Sequence, residues 1–169
     1  MLTHSTQTNE PARYATLLPA LAQLPQPLAL IEVGGSEGLC LLRDLYGYDY
    51  GGYRVHAKEV QGDGLVFTCS VNKATPLPEI VWRAGLDLKP LDPTDPSQVG
   101  WPESLVWLEQ TLRLTNLRAA QKIAGAYPPR NAKGDLLGDG LVPLCREAPE
   151  DAMLVAFPYS GLGLCRGSG

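Results

Sequence analysis

The stretch Leu28-Ala-Leu-Ile-Glu-Val-Gly-Gly-Ser-Glu-Gly-Leu-Cys-Leu-Leu42 decides the fold of this 169-residue chain. Its first six residues are apolar except for Glu32, which marks a buried strand ending in an acid. Gly34-Gly-Ser-Glu-Gly38 then reads as a tight turn, and Leu39 to Tyr46 as a helix. A strand, a turn and a helix N-terminus bring backbone N–H groups and a dipole to one point. That arrangement suits a small anionic or zwitterionic ligand. The Glu32 carboxylate adds an acceptor for a ribose hydroxyl or an ammonium group.

Working outward, residues 10–24 predict a first helix with Asn9 or Thr8 as cap, and Pro25-Gln-Pro27 breaks the chain before the strand. The passage Tyr46-Gly-Tyr-Asp-Tyr-Gly-Gly-Tyr53 reads as a loop. It leads into an antiparallel hairpin of Arg54–Val60 and Leu65–Val71, turned at Gln61-Gly-Asp-Gly64. Ile80–Leu88 reads as a second strand of the sheet, followed by a turn-rich run to Pro96. Residues 103–125 predict the longest helix, with Leu105, Leu108, Leu112, Ala119 and Ile123 on its apolar side. Arg130–Lys133 and Ala152–Phe157 complete a set of four strands for the main sheet. Strands alternating with helices imply an α/β layer fold whose sheet is mainly parallel.

Composition narrows the class. A chain of this length with 44% hydrophobic residues can bury one domain core. No apolar run reaches the roughly 20 residues of a membrane span, and the N-terminus lacks the basic start and apolar middle of a signal peptide. The expected compartment is the cytoplasm. The four cysteines are widely spaced and only two histidines occur, so no metal site is expected and free thiols are. A net charge of −4 does not indicate nucleic acid as a partner.

Three chemistries compete for the turn. Gly34-Gly-Ser36-Glu-Gly38 matches the G-x-S-x-G elbow of serine hydrolases, but the only histidine after Ser36 is His56, too early in the chain for that triad order. The dinucleotide fingerprint G-x-G-x-x-G fails at its second and third glycines, which fall on Ser36 and Leu39. The third pattern is an acid two positions before the first glycine, then G-x-G-x-G. It resembles the S-adenosylmethionine loop of class I methyltransferases, with Ser36 in place of the middle glycine. This resemblance implies cofactor contacts from Glu32, Gly34, Gly35, Ser36 and Gly38. Asp87, ending the second strand, then serves the ribose hydroxyls, and Asp135, after the third, the adenine amino group. The polar cluster Gln7, Asn9, Glu10 and Arg13 could close over the pocket or simply cap a helix. Pro158, Tyr159 and Ser160, after the fourth strand, fall where acceptor groups usually bind, and no catalytic residue is assigned.

Longer segments also resemble a bacterial family known as domain-of-unknown-function family 2332. They include Thr6-Gln-Thr-Asn-Glu10, Leu17-Leu-Pro-Ala-Leu21, Ile31-Glu-Val-Gly-Gly-Ser-Glu-Gly38 and Tyr46-Gly-Tyr-Asp-Tyr50. Trp82-Arg-Ala-Gly-Leu-Asp-Leu-Lys-Pro-Leu-Asp92 and Pro128-Pro-Arg-Asn-Ala-Lys-Gly-Asp135 extend the resemblance. It implies a Rossmann-like, class I methyltransferase-type three-layer sandwich, incomplete, with about four parallel strands and an inserted β-hairpin. It also implies truncation at both ends. The expected organisation is a single partial domain over residues 1–169, with an N-terminal helix in 1–26, the hairpin in 46–78 and an irregular tail in 158–169. The outer edge of the last strand would then invite self-association. The function so implied is a methyltransferase-like protein of unknown acceptor. The alternative is a non-catalytic remnant or interaction domain.

Overall fold

The computed structural model describes residues 15–57, 64–70, 76–107 and 109–158. In chain order the elements are α1 (Leu18–Leu21), β1 (Leu28–Val33), a 3-10 helix (Leu39–Leu45), β2 (Gly47–Asp49), β3 (Arg54–Val55) and β4 (Val66–Thr68). They continue with β5 (Ile80–Asp87), α2 (Pro96–Ser104), α3 (Thr111–Ala126), β6 (Arg130–Lys133), α4 (Leu141–Arg146) and β7 (Met153–Pro158). Four strands form a wholly parallel sheet in the order β6-β5-β1-β7, making this a mixed α/β protein. All four strands match the sequence expectation to within a residue at each end.

β1 is the central strand, and its composition explains why. Leu28, Ala29, Leu30 and Ile31 are all fully buried, as a strand paired on both edges and covered on both faces requires. Leu28 and Leu30 face α1 and the 3-10 helix, joining Leu21 and Leu41 in one core. Ile31 faces the other way, with Ala84, Leu86 and Leu144 of α4. Register places Glu32 between Gly85 of β5 and Phe157 of β7, and Gly85 beside Asn131 of β6.

Three expectations need correction. The segment after the glycine turn is a 3-10 helix kinked at Leu42, not an α-helix. Its carbonyls have other partners: Tyr46 Oη donates to Leu39 O at 2.7 Å, Arg43 Nε to Cys40 O at 2.8 Å, and Tyr48 Oη to Arg43 O at 2.8 Å. Those bonds compete with the α-helical ladder.

Nor, among the described residues, do the two strands of the expected hairpin pair with each other. β3 lies antiparallel on one edge of β2 and β4 parallel on the other, so the unit is a three-stranded sheet. β2 comes from the tyrosine-glycine passage expected to be a loop. Tyr46, Tyr48 and Tyr50 alternate toward one side and are buried there with Phe67, the Tyr46 and Phe67 rings meeting edge-on at 5.5 Å. Gly47 between them lets β4 pack closely, since a Cβ there would lie 3.0 Å from Val66 Cγ2. Of the expected turn Gln61-Gly-Asp-Gly64, residues 61–63 lie outside the described residues.

The long helix is two helices. α2 starts early, capped by Asp95, whose side chain accepts from Ser97 N–H, with Pro96 in the first turn. It ends at Ser104 in tight turns, and α3 restarts at Thr111. α3 buries Leu117, Ala120, Gln121 and Ala124, whereas Leu112, expected inside, is 73% exposed; Leu108 lies outside the described residues. The first helix is represented by the single turn of α1, its expected start at residues 10–14 also lying outside.

The largest core joins Leu39, Leu42 and Leu45 of the 3-10 helix to the tyrosines of β2, Phe67, and Leu117, Ala120 and Ala124 of α3. The 3-10 helix therefore touches the parallel sheet through Leu41 and the second core through its other leucines. It is an internal pillar.

Candidate functional site

The glycine turn lies at the carboxyl end of β1, and neighbouring strands hold it. Gly34 N–H donates to Leu86 O at 2.8 Å, continuing the β1–β5 pairing past the strand end. Gly34, Ser36 and Gly38 have φ of +79°, +54° and +71°. Serine in the left-handed region is strained, and its peptide groups are fixed on both sides. Ser36 N–H donates to Asp87 Oδ2 at 2.8 Å, and Ser36 O accepts from Leu91 N–H at 3.2 Å and from Asn131 Nδ2 at 3.3 Å. The other Asp87 oxygen accepts from Lys89 N–H at 2.8 Å. Asp87 is thus a brace for the turn.

Glu32 is fully buried beneath this turn. A Cβ on Gly35 would lie 2.5 Å from Glu32 Cδ and 2.6 Å from its Oε2, so residue 35 must be glycine for the carboxyl to fit. Among the described residues neither oxygen has a donor at full hydrogen-bond geometry, and the Cys40 thiol provides only a weak stabilising contact. Burial pushes the Glu32 carboxyl up to about 7, outweighing the Arg43 charge and the thiol that favour ionisation, while Asp87 opposes it. Arg43 is itself 1% exposed, and its guanidinium lies 4.3 Å from the centre of the Phe157 ring.

Other residues expected at the site lie apart or outside. Asp135 is exposed, and its Oδ1 accepts from Leu137 N–H at 3.0 Å, an Asx-type turn. It stays near the sheet end because Gly134 N–H donates to Asp87 O at 2.9 Å. Gln7, Asn9, Glu10, Arg13, Tyr159 and Ser160 lie outside the described residues, while Pro158 ends β7. His56 lines a cavity of about 420 Å³ with Asp44, Glu79 and Ile80, at the amino end of β5. Ser36 is bonded to the opposite end of that eight-residue strand, roughly 25 Å away at about 3.3 Å per residue. No Ser36–His56 pair forms, and Ser36 is only 2% exposed.

Four contributors escaped the sequence reading as individuals: Glu37, Arg43, Gln121 and Asn131. Glu37 is fully buried and accepts from Gln121 Nε2 at 2.9 Å, which ties α3 to the turn. Arg43 had a signal, a charge inside the apolar run Leu39-Cys-Leu-Leu-Arg43. Gln121, amid the apolar positions of α3, had a weaker one of the same kind. Asn131 had none beyond its place in a strand.

Among the described residues no cluster of three or more His, Cys, Asp or Glu could hold a metal ion. No described helix is long and apolar enough to cross a membrane.

An α/β domain with a braced glycine turn at the carboxyl end of its central strand is the class these features define. The family model described as an uncharacterised protein conserved in bacteria (DUF2332) matches residues 1–158, and the chain belongs to that family. No curated protein matches the chain, nor does any solved structure.

Proposed function

We propose that the chain is a methyltransferase-like domain that binds S-adenosylmethionine at the Gly34–Gly38 turn. The observation carrying this reading is Glu32, a sealed carboxyl with no good donor, beneath a glycine turn at the carboxyl end of β1. The strand order supports it. In order of appearance the sheet runs third, second, first, fourth, so the direction of winding reverses between β1 and β7. Rossmann-like sheets bind ligands outside the carboxyl ends at such a reversal.

Glu32 suits the ammonium group of the ligand. The Asp87 carboxylate, at the carboxyl end of β5, suits ribose hydroxyls, and exposed Asp135, just past β6, suits an adenine amino group. When bound, the cofactor supplies a methyl group activated on a sulfonium. The chain's own part is to orient that group and exclude water, for which no general base is required.

Isothermal titration of the chain with S-adenosylmethionine and S-adenosylhomocysteine tests the reading. Micromolar binding is expected, weakened tenfold or more in Glu32→Ala and several-fold in Asp135→Asn. Absence of heat up to millimolar ligand sinks it. A non-catalytic binding or interaction domain is the second reading, favoured by one observation: the turn lies closed over Glu32, with Ser36 braced on both sides. Binding of both ligands without methyl transfer to any acceptor extract supports that alternative.

A further inference from the structure

Glu32 lies in a compartment of unusual make-up. Among the described residues the charged or titratable groups facing it are Cys40 and Arg43 from the 3-10 helix, Asp87 from β5, and Tyr46 just before β2. Its register neighbours Gly85 and Phe157 carry no charge. Overhead is Gly35, whose missing side chain leaves just the room the carboxyl fills. Among the described residues a carboxylate sealed in this way has only the weak Cys40 thiol as a donor, and the nearby Arg43 charge does not offset its desolvation, while the neutral acid tolerates the site. A ligand bearing a positive charge reverses that balance, because an opposite charge within a few ångströms favours ionisation.

We propose that Glu32 is a proton-linked cation site: it is a neutral acid while Gly35 covers it, and it ionises when a cationic group is seated against it beneath a raised turn. No covalent bond to the ligand forms. The carboxyl O–H bond breaks, the proton passes to solvent, and the carboxylate stays paired with the cation. The inference borrows from the cofactor reading only the identity of the cation, the ammonium or sulfonium of S-adenosylmethionine. Burial holds the ligand-free carboxyl up to about 7, so the site works in a range where proton release is measurable.

Carbon-13 NMR of the Glu32 carboxyl, assigned by difference from Glu32→Gln, tests the closed state. A midpoint near 7 is expected in the ligand-free chain, falling by two units or more on saturation with S-adenosylmethionine. Titration calorimetry at about pH 6, in buffers of different ionisation enthalpy, then counts the protons. Release should approach one per ligand, disappear by about pH 8.5, and be absent from Glu32→Gln at both. A ligand-free midpoint in the ordinary carboxyl range overturns the proposal whatever binds. Binding with no buffer dependence at about pH 6 also overturns it and leaves the cofactor reading intact. If S-adenosylmethionine does not bind, the cofactor reading fails, and trimethylsulfonium serves as the bare cation. A downward shift of the Glu32 midpoint with that ion sustains the proposal, and no shift overturns it.

Discussion

At the scale of single residues, Glu32 and Gly35 form one unit, and each explains the other. The folded-state carboxyl near 7 exceeds its ordinary value of 4.5, so the unfolded chain releases the proton first as pH rises. The stabilising contribution is therefore full below about pH 4.5 and is lost as pH climbs through about 7. At about 1.4 kcal/mol per pH unit, the total loss is on the order of 3 kcal/mol. Glu32→Gln keeps the shape of the neutral acid and removes the titration. Its urea midpoint should match the parent near pH 5 and exceed it at pH 8; equal midpoints at both would show that Glu32 titrates normally. Gly35→Ala drives a methyl group into the Glu32 carboxyl and should cost about 1–3 kcal/mol. In a Glu32→Ala background much of that cost should vanish, giving a coupling of roughly 1 kcal/mol or more in a double-mutant cycle. Strict additivity would mean that the two residues do not share space.

At the scale of elements, the parts most legible in the sequence are those governed by burial on two faces. Leu28–Val33 is apolar except for Glu32 and bounded by Pro27 and Gly34, while Ile80–Asp87 has prolines two or three residues beyond each end and is buried throughout only over Ala84–Asp87. The rest depended on partners that no local pattern contains. Tyrosine alternating with glycine looks like a loop until Phe67 and the leucines of the 3-10 helix supply the other half of its core. The 3-10 helix itself has a good α-helical pattern, which the hydroxyls of Tyr46 and Tyr48 override from outside the segment. For the candidate site, Glu32 and its glycines were readable because spacing carries them, whereas the braces Asn131 and Gln121 arrive from distant strands and helices. α3 supplies a direct check on its facing. Leu117→Ala should cost about 2–4 kcal/mol in chemical denaturation, because Leu117 is buried in the main core. Leu112→Ala should stay within about 0.5 kcal/mol. The reverse ranking would support the helix face expected from periodicity.

At the scale of the whole molecule, one parallel sheet and one small sheet share the 3-10 pillar, so neither core is complete without it. Among the described residues β7 pairs only with β1, and its exposed positions include Met153 and Leu154 at 41% and 38%. An apolar strand with an open edge is prone to pair with another copy. Sedimentation velocity should show mass rising with concentration for the parent and little rise for Leu154→Lys; a parent monomer at all concentrations would remove that expectation. The strand order also bears on how the chain is made. Leu28 pairs with Met153, more than a hundred residues further on, while the opposite edge of β1 pairs with β5 much earlier. At roughly 5–20 residues per second, the ribosome delivers β7 on the order of ten seconds after β1. Throughout that interval the nascent chain carries its most deeply buried strand with one side unzipped, and the Phe157 ring that Arg43 rests on has yet to emerge. The Glu32 compartment is therefore among the last features of the protein to close, and early release from the ribosome would leave it open.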